Sequence, residues 1–236
     1  FNMSFNQQTG QLTWLDDCFP GEGRAKTAAF TVNGRGYVGA GERITDVGGV
    51  YQNDFWEFNP DGNNGKGTWR KIKSLPSREE SELGNLGRQF PYVFQFSNRV
   101  FVGGGSYGSK YLNDIWEFLP PRNDSDEGDW KFVGFFPGIP RDEAASCTIG
   151  SKGYLTLGFH NLLGIQNDCW EFNPDATIPN QQWKKLSNFP AEPRSSAISF
   201  SLGEQLYIGG GLGRRVKGNL FEPTYPTDFW TYVPTK

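Results

Sequence analysis

The stretch Tyr51-Gln52-Asn53-Asp54-Phe55-Trp56-Glu57-Phe58-Asn59-Pro60 decides the fold, because the chain repeats it. It returns as Tyr111-Leu112-Asn113-Asp114-Ile115-Trp116-Glu117-Phe118-Leu119-Pro120 and as Ile165-Gln166-Asn167-Asp168-Cys169-Trp170-Glu171-Phe172-Asn173-Pro174. The last copy is Tyr225-Pro226-Thr227-Asp228-Phe229-Trp230-Thr231-Tyr232-Val233-Pro234. The Asp-to-Asp steps are 60, 54 and 60 residues. A period of about 50 that carries strands marks a repeat architecture, in which each copy is one supersecondary unit. Repeats specify a scaffold well and chemistry poorly, so activity has to be sought in residues that depart from the repeat.

Each copy extends upstream. An Arg stands thirteen residues before an aromatic that leads into a glycine-rich end: Arg24 to Tyr37, Arg88 to Phe101, Arg141 to Tyr154 and Arg194 to Tyr207. Between them lie apolar alternations broken by turn residues such as Asn33-Gly34-Arg35-Gly36, which predicts a β-hairpin. The Asp-Trp phrase makes a third strand. Trp69, Trp130 and Trp183, each followed by Lys or Arg, mark a fourth. The unit is four antiparallel strands, a to d. Thr13-Trp14-Leu15 matches strand d at the start of the chain. The repeats fall at about 1–20 (partial), 21–76, 77–137, 138–190 and 191–236, within a single domain.

Composition agrees. Aromatics make up 16% of the 236 residues, there are 31 glycines, and Met occurs once, a mix that suits short strands and tight turns. A net charge of −3 gives no field that would draw the whole chain to nucleic acid or an anionic membrane. No apolar run is long enough for a transmembrane helix. The three cysteines, Cys18, Cys147 and Cys169, leave at least one outside any internal pair, and free buried thiols and a Cys147–Cys169 disulfide both stay open.

The glycine pairs Gly104-Gly105 and Gly210-Gly211, the aromatic before them and the downstream Trp resemble the kelch repeat. The wording Asn-Asp-Phe-Trp-Glu-Phe-Asn-Pro is similar to kelch proteins of the Bacteroidetes cell envelope. The resemblance implies an all-β, kelch-type β-propeller of four-stranded antiparallel blades, three whole and two partial in this chain. The third repeat departs, with Thr156-Leu157-Gly158 in place of a glycine pair. Two closures are compatible with the ends. The Trp14 strand could complete the last blade of a four-blade ring, or the chain is part of a propeller of about six or seven blades, the usual kelch number. The second is favoured, because an apparent strand c at residues 1–6 has no place in a closed four-blade ring.

The recurrent residues read as packing. The glycines suit strand ends where blades crowd, and the Asp of the phrase is placed to accept backbone N–H bonds. The arginines are more ambiguous. Strand a lines the channel of a propeller, so Arg24, Arg88, Arg141 and Arg194 are expected at one level, either bonding carbonyls and acidic neighbours or forming an anion-binding ring. The longest b–c loop, Leu212 to Phe221, is basic with an apolar end, and makes Arg214, Arg215, Lys217 and Phe221 candidate contacts. The connection at 77–82 is longer than its counterparts and acidic.

For catalysis the sequence offers little. Galactose oxidase holds copper on a kelch propeller with two histidines and two tyrosines; this chain has one histidine, His160, so no copper site is expected. The sialic acid epimerases are the other enzymatic relatives that the resemblance brings in. An epimerase needs acid and base groups on both faces of a sugar carbon, and Glu143 and His160 are the candidates, though nothing in their spacing shows that they converge. The loops Asn123–Asp129 and Asp61–Gly65 are oxygen-rich but read as solvated turns, not calcium sites. The expectation is therefore a non-catalytic module that binds a protein partner, without cofactor or metal, as a subunit of a hetero-complex in the periplasm or at the cell surface. The alternative is a carbohydrate-binding or sugar-active propeller, which Phe90, Tyr92, His160 and Glu143 facing one pocket would favour.

Overall fold

The computed structural model describes residues 3–5, 12–14, 18–78, 80–81, 84–178, 181–217 and 220–234. Side chains in the strand segments 3–5, 12–14, 80–81, 84–85, 215–217 and 220–221 lie outside that description, as do the contact roles proposed for Arg215, Lys217 and Phe221.

Blade 1 is Ala28–Val32, Arg35–Gly39, Phe55–Asn59 and Thr68–Ile72, hydrogen-bonded in the order a-b-c-d. Blade 2 is Tyr92–Gln95, Val100–Gly103, Asp114–Leu119 and Asp129–Phe135. Blade 3 is Ala145–Ile149, Lys152–Thr156, Cys169–Phe172 and Trp183–Lys185. Blade 4 has strands a to c, Ile198–Leu202, Gln205–Gly209 and Phe229–Tyr232. A separate antiparallel pair joins Met3–Phe5 to Leu12–Trp14, but with Trp14 opposite Met3 and not opposite Phe5, so its register differs from the c–d pairs, where Trp69, Trp130 and Trp183 face Phe58, Phe118 and Phe172. Among the described residues Leu12–Trp14 does not pair with Phe229–Tyr232, so closure of blade 4 by the Trp14 strand is not seen. This is the all-β, kelch-type propeller architecture.

Strands a are innermost. Side chains tie one to the next: the Ser146 hydroxyl donates to the Val93 carbonyl, Thr148 to that of Gln95, and Ser199 to that of Ser146. Aromatic and branched side chains fill the spaces between blades, because alternation along each strand sends successive residues to opposite faces. Tyr37 and Phe55 of blade 1 pack with Val102, Phe118 and Trp130 of blade 2. Phe94 and Phe101 of blade 2 pack with Leu155 and Phe172 of blade 3. The outer face of blade 4 carries Ile198, Phe200, Leu202 and Phe229 exposed, at positions that neighbouring blades cover elsewhere.

The glycine-rich ends differ from expectation in what crowds them. Each strand b is followed by two left-handed residues, Ala40-Gly41, Gly104-Gly105, Leu157-Gly158 and Gly210-Gly211. A Cβ on the second would come within 2.4–2.7 Å of the carbonyl oxygen of residue 25, 89, 142 or 195, in the same repeat. The crowding comes from the approach to strand a, not from the neighbouring blade. The second amide then crosses the boundary: Gly41, Gly105 and Gly158 donate to the carbonyls of Arg88, Arg141 and Arg194 in the next blade. Leu157 adopts the same conformation as its glycine counterparts, so the third repeat keeps the geometry despite its different residues.

Candidate functional site

The repeated arginines form a latch inside each blade, not an open ring. Each lies four residues ahead of strand a and forks onto the Asp of its own strand c. Arg24 grips Asp54. Arg88 reaches the two Asp114 oxygens at 2.6 and 3.0 Å, Arg141 those of Asp168 at 2.5 and 3.1 Å, and Arg194 those of Asp228 at 2.5 and 3.2 Å. The same guanidinium donates to the carbonyl of the first left-handed residue, such as Leu157 at 3.0 Å. The aspartates accept a third bond from the indole N–H two residues on, Trp56, Trp116, Trp170 or Trp230. They therefore bind a guanidinium and an indole, and the expected backbone N–H bond is made at Asp114, which also accepts the Arg78 amide at 3.2 Å. The arginine bonds hold all four carboxyls below the usual range against burial, with Asp228, the most open, lowered to about 2. Arg88, Arg141 and Arg194 are fully buried, so their forks are committed to structure.

The residues just after each arginine vary between repeats, and they and the b–c hairpins form a polar network at one end of the inner strands. Lys26 Nζ donates to Glu42 Oε2 at 2.5 Å and to Gln89 Oε1 at 2.8 Å. Gln89 Nε2 donates to Ser106 Oγ at 3.1 Å, and Ser106 Oγ to Asp142 Oδ2 at 2.7 Å. Beside it, Ser196 Oγ donates to Glu143 Oε2 at 2.8 Å. The chain of bonds runs from blade 1 to blade 3, and the last contact joins blades 3 and 4. Lys26, Phe90, Glu143 and Ser196, each two residues beyond its arginine, are all left-handed, with φ between 50° and 62°. Conformations of this kind cluster at functional sites when the surrounding bonds over-determine them.

Asp142 is the unusual member. Its side chain is 4% exposed, and Oδ1 is buried without a hydrogen-bond partner. Burial, with Glu143 adjacent, pushes its carboxyl up to about 6 against the Ser106 bond. Tyr111 and His160 stack nearby, ring centroids 4.4 Å apart. Burial and the Asp142 charge push the Tyr111 phenol up to about 12. His160 is lowered by burial and by Arg141, and its Nδ1 accepts the amides of Leu162 and Leu163 at 3.2 and 3.4 Å, which leaves the proton of the neutral ring on Nε2. This end of the inner strands thus holds a carboxyl raised to about 6 and, outside the bonded chain, a stacked pair of a phenol that keeps its proton and a neutral imidazole.

Other sequence candidates separate. Arg214 is exposed and stacks over Phe159 at 5.1 Å on the hairpin that carries His160, so it belongs to this end. Phe90 lies under Lys26, while Tyr92 is buried between blades 2 and 3. Phe90, Tyr92, His160 and Glu143 therefore do not face one pocket. In the 123–129 turn Asp126 accepts the Gly128 amide and Arg122, and among the described residues no group of His, Cys, Asp and Glu could hold a metal. The cysteines are free, with Cys169 3.0 Å from Thr156 Oγ1. No described helix is long and apolar enough to cross a membrane. Asp142, Lys26, Gln89, Ser106 and Tyr111 were missed from sequence. Their signal was variation at fixed offsets from an unchanging arginine.

The fold class is a kelch-like β-propeller, and the comparisons agree. A solved structure described as that of YjhT superposes with a TM-score of 0.74 at 18% identity, over 97% of this chain and 73% of that one, which shows the fold. The chain is similar to the N-acetylneuraminate epimerase of Pasteurella multocida, 28% identical over 130 residues, 52% of this chain and 31% of the relative. It is similar to that of Shigella sonnei at 25% over 130 residues, 53% and 32% of the two chains. The match spans about a third of the length of these curated relatives. No protein-family model matches. These relatives do not extend to the narrower likeness to Bacteroidetes envelope proteins. They overturn the expectation of a non-catalytic scaffold and favour its sugar-active alternative.

Proposed function

We propose that the chain belongs to a sugar-acting propeller that inverts a sugar stereocentre by acid–base chemistry, with the site at the Lys26–Asp142–Glu143 end of the inner strands. The observation that carries this reading is the likeness to proteins named N-acetylneuraminate epimerase over half of the chain. The local chemistry suits it. Inversion needs one group to take a proton and another to supply one from the opposite side. In this assignment Glu143 is the base and Tyr111 the acid, a donor that keeps its proton and that burial weakens by pushing its phenol up to about 12. Asp142, next to Glu143 in the chain, is tied to Lys26 through Ser106 and Gln89, and Arg214 adds positive charge for an acidic sugar. Export to the periplasm or cell surface is part of the same proposal and rests on the envelope-type wording of the repeat.

The test is proton NMR of N-acetylneuraminate with and without the protein, following interconversion of its epimers. The expected result is acceleration by the wild type and loss of about 10²-fold or more with Glu143→Gln, the range for a positioned acid or base. No acceleration by the folded wild type, or full activity in Glu143→Gln and Tyr111→Phe, would reject the assignment.

A further inference from the structure

The b–c hairpins of the four blades touch in series at the end of the inner strands that carries the proposed site. Tyr51 of blade 1 packs on Tyr107 of blade 2, ring centroids 5.0 Å apart. Tyr111 of blade 2 stacks on His160 of blade 3 at 4.4 Å, and Arg214 of blade 4 lies 5.1 Å over Phe159 of blade 3. The blade 3 hairpin, Phe159–His160 with Gly164–Ile165, is therefore held from both sides. Its turn depends on a titratable side chain. Three successive amides of the turn are bound by side chains: Asn161 donates to Tyr111 Oη at 3.1 Å, and Leu162 and Leu163 donate to His160 Nδ1 at 3.2 and 3.4 Å. Leu162 and Leu163 are 84% and 59% exposed, so packing of their side chains does little to hold the turn.

We infer that neutral His160 is the positioning residue of Tyr111, a clasp that closes the 161–163 turn against the phenol, and that a proton on Nδ1 opens it. An imidazolium carries a proton on each ring nitrogen and accepts no hydrogen bond. Protonation sets an N–H donor against two amide donors, so ring and turn must separate. That separation breaks the stack on Tyr111 or the Asn161 bond that orients its hydroxyl. The charged and titratable groups around the ring are Tyr111 with Lys110 beside it, Arg141, Asp142 and Glu143 ahead of strand a of blade 3, and Arg214 over Phe159. Burial and Arg141 favour the neutral ring. Asp142, whose backbone pairs with Phe159, is the competing group that titrates at this end. The clasp is whole above the ordinary histidine value of 6.5 and is lost as pH falls through the lower folded value. Its consequence for catalysis rests on the role proposed for Tyr111; the clasp itself does not.

His160 is the sole histidine of the chain, so its ring protons are identified directly by proton NMR. The experiment lowers the pH from about 8 to about 4.5 and follows the His160 ring, the Tyr111 ring and the Leu162 and Leu163 amides. It is repeated with His160→Asn, whose side-chain oxygen replaces Nδ1 as acceptor without titrating. In the wild type the His160 ring should titrate below 6.5, and both amides and the Tyr111 ring should shift with the same midpoint. In His160→Asn the component at that midpoint should vanish. Amides or a Tyr111 ring that stay still while His160 titrates overturn the inference. So does a component that persists in His160→Asn, which would belong to Asp142. None of these readouts involves sugar turnover, so failure of the clasp is told apart from failure of the proposed chemistry, which wild-type epimerisation reports.

Discussion

Ser106, on the b–c hairpin of blade 2, donates a 2.7 Å hydrogen bond across the blade boundary to Asp142 at the approach to blade 3. That single bond does not offset the burial of the carboxylate, so Asp142 holds its proton up to about pH 6. The folded state binds this proton more tightly than the unfolded chain, whose carboxyl titrates near 4. Its contribution to stability is therefore whole below about pH 4 and is lost as pH rises through about 6. The four latch aspartates work in the opposite sense. Their lowered values contribute above about pH 4, and that contribution is lost as pH falls below it, for Asp228 through about 2. Asp142→Asn should gain stability relative to wild type between pH 4.5 and 8, with urea midpoints at the two pH values as the readout. A difference between the two proteins that does not change with pH would show that Asp142 is not the group titrating there.

The latches should not be equal. Asp114 is buried, whereas the Asp228 side chain is 40% exposed. Arg88→Met leaves a buried carboxylate unpaired and is expected to cost about 3–5 kcal/mol. Arg194→Met leaves one that water can reach, and should cost about 1–3 kcal/mol, the range for hydrogen bonds to a charged group. Urea unfolding of the two variants gives the comparison; equal losses would mean that burial of the aspartate does not set the cost.

Sequence made the scaffold legible because the repeat fixes short-range spacing. The interval of thirteen residues from Arg to aromatic holds in all four copies, since only a hairpin lies between them. The latch was hidden because its partners sit across the b–c hairpin, whose length varies: Arg and Asp are separated by 30, 26, 27 and 34 residues. An arginine that recurs without a partner at constant distance looks free for ligands. The polar network was hidden for the converse reason. Asp142 occupies the offset of Ala25, Gln89 and Ser195, and a search for recurrence discards an offset where nothing recurs. Its burial and its bond to Ser106 arise only when neighbouring blades meet.

Gly105 tests the turn that sets this geometry. Its φ is +82°, and a Cβ would lie 2.4 Å from the Gln89 carbonyl oxygen, a backbone atom that cannot swing away. Gly105→Ala therefore adds left-handed strain to overpacking and should cost about 2–5 kcal/mol. The damage should also loosen the Gly105-to-Arg141 link between blades 2 and 3. Hydrogen exchange should quicken at Gly105 and its neighbours in the variant. An unchanged urea midpoint would show that the turn can relax without loss.

The three thiols should separate by rate. Cys18 is exposed, while Cys147 and Cys169 are half-buried in the core between blades 3 and 4. Burial pushes the Cys147 thiol up to about 12 and also raises Cys169, where the Thr156 hydroxyl only partly opposes it. Alkylation proceeds through the thiolate, so neither should react readily at pH 8 in the folded protein. Iodoacetamide under native conditions should add one label, at Cys18, and two more only after denaturant is added. Mass spectrometry with peptide mapping reads both number and position. Simultaneous labelling of all three would show that the core beside Cys169 admits reagent and solvent freely, and that the apolar surroundings do not hold these thiols in the neutral form.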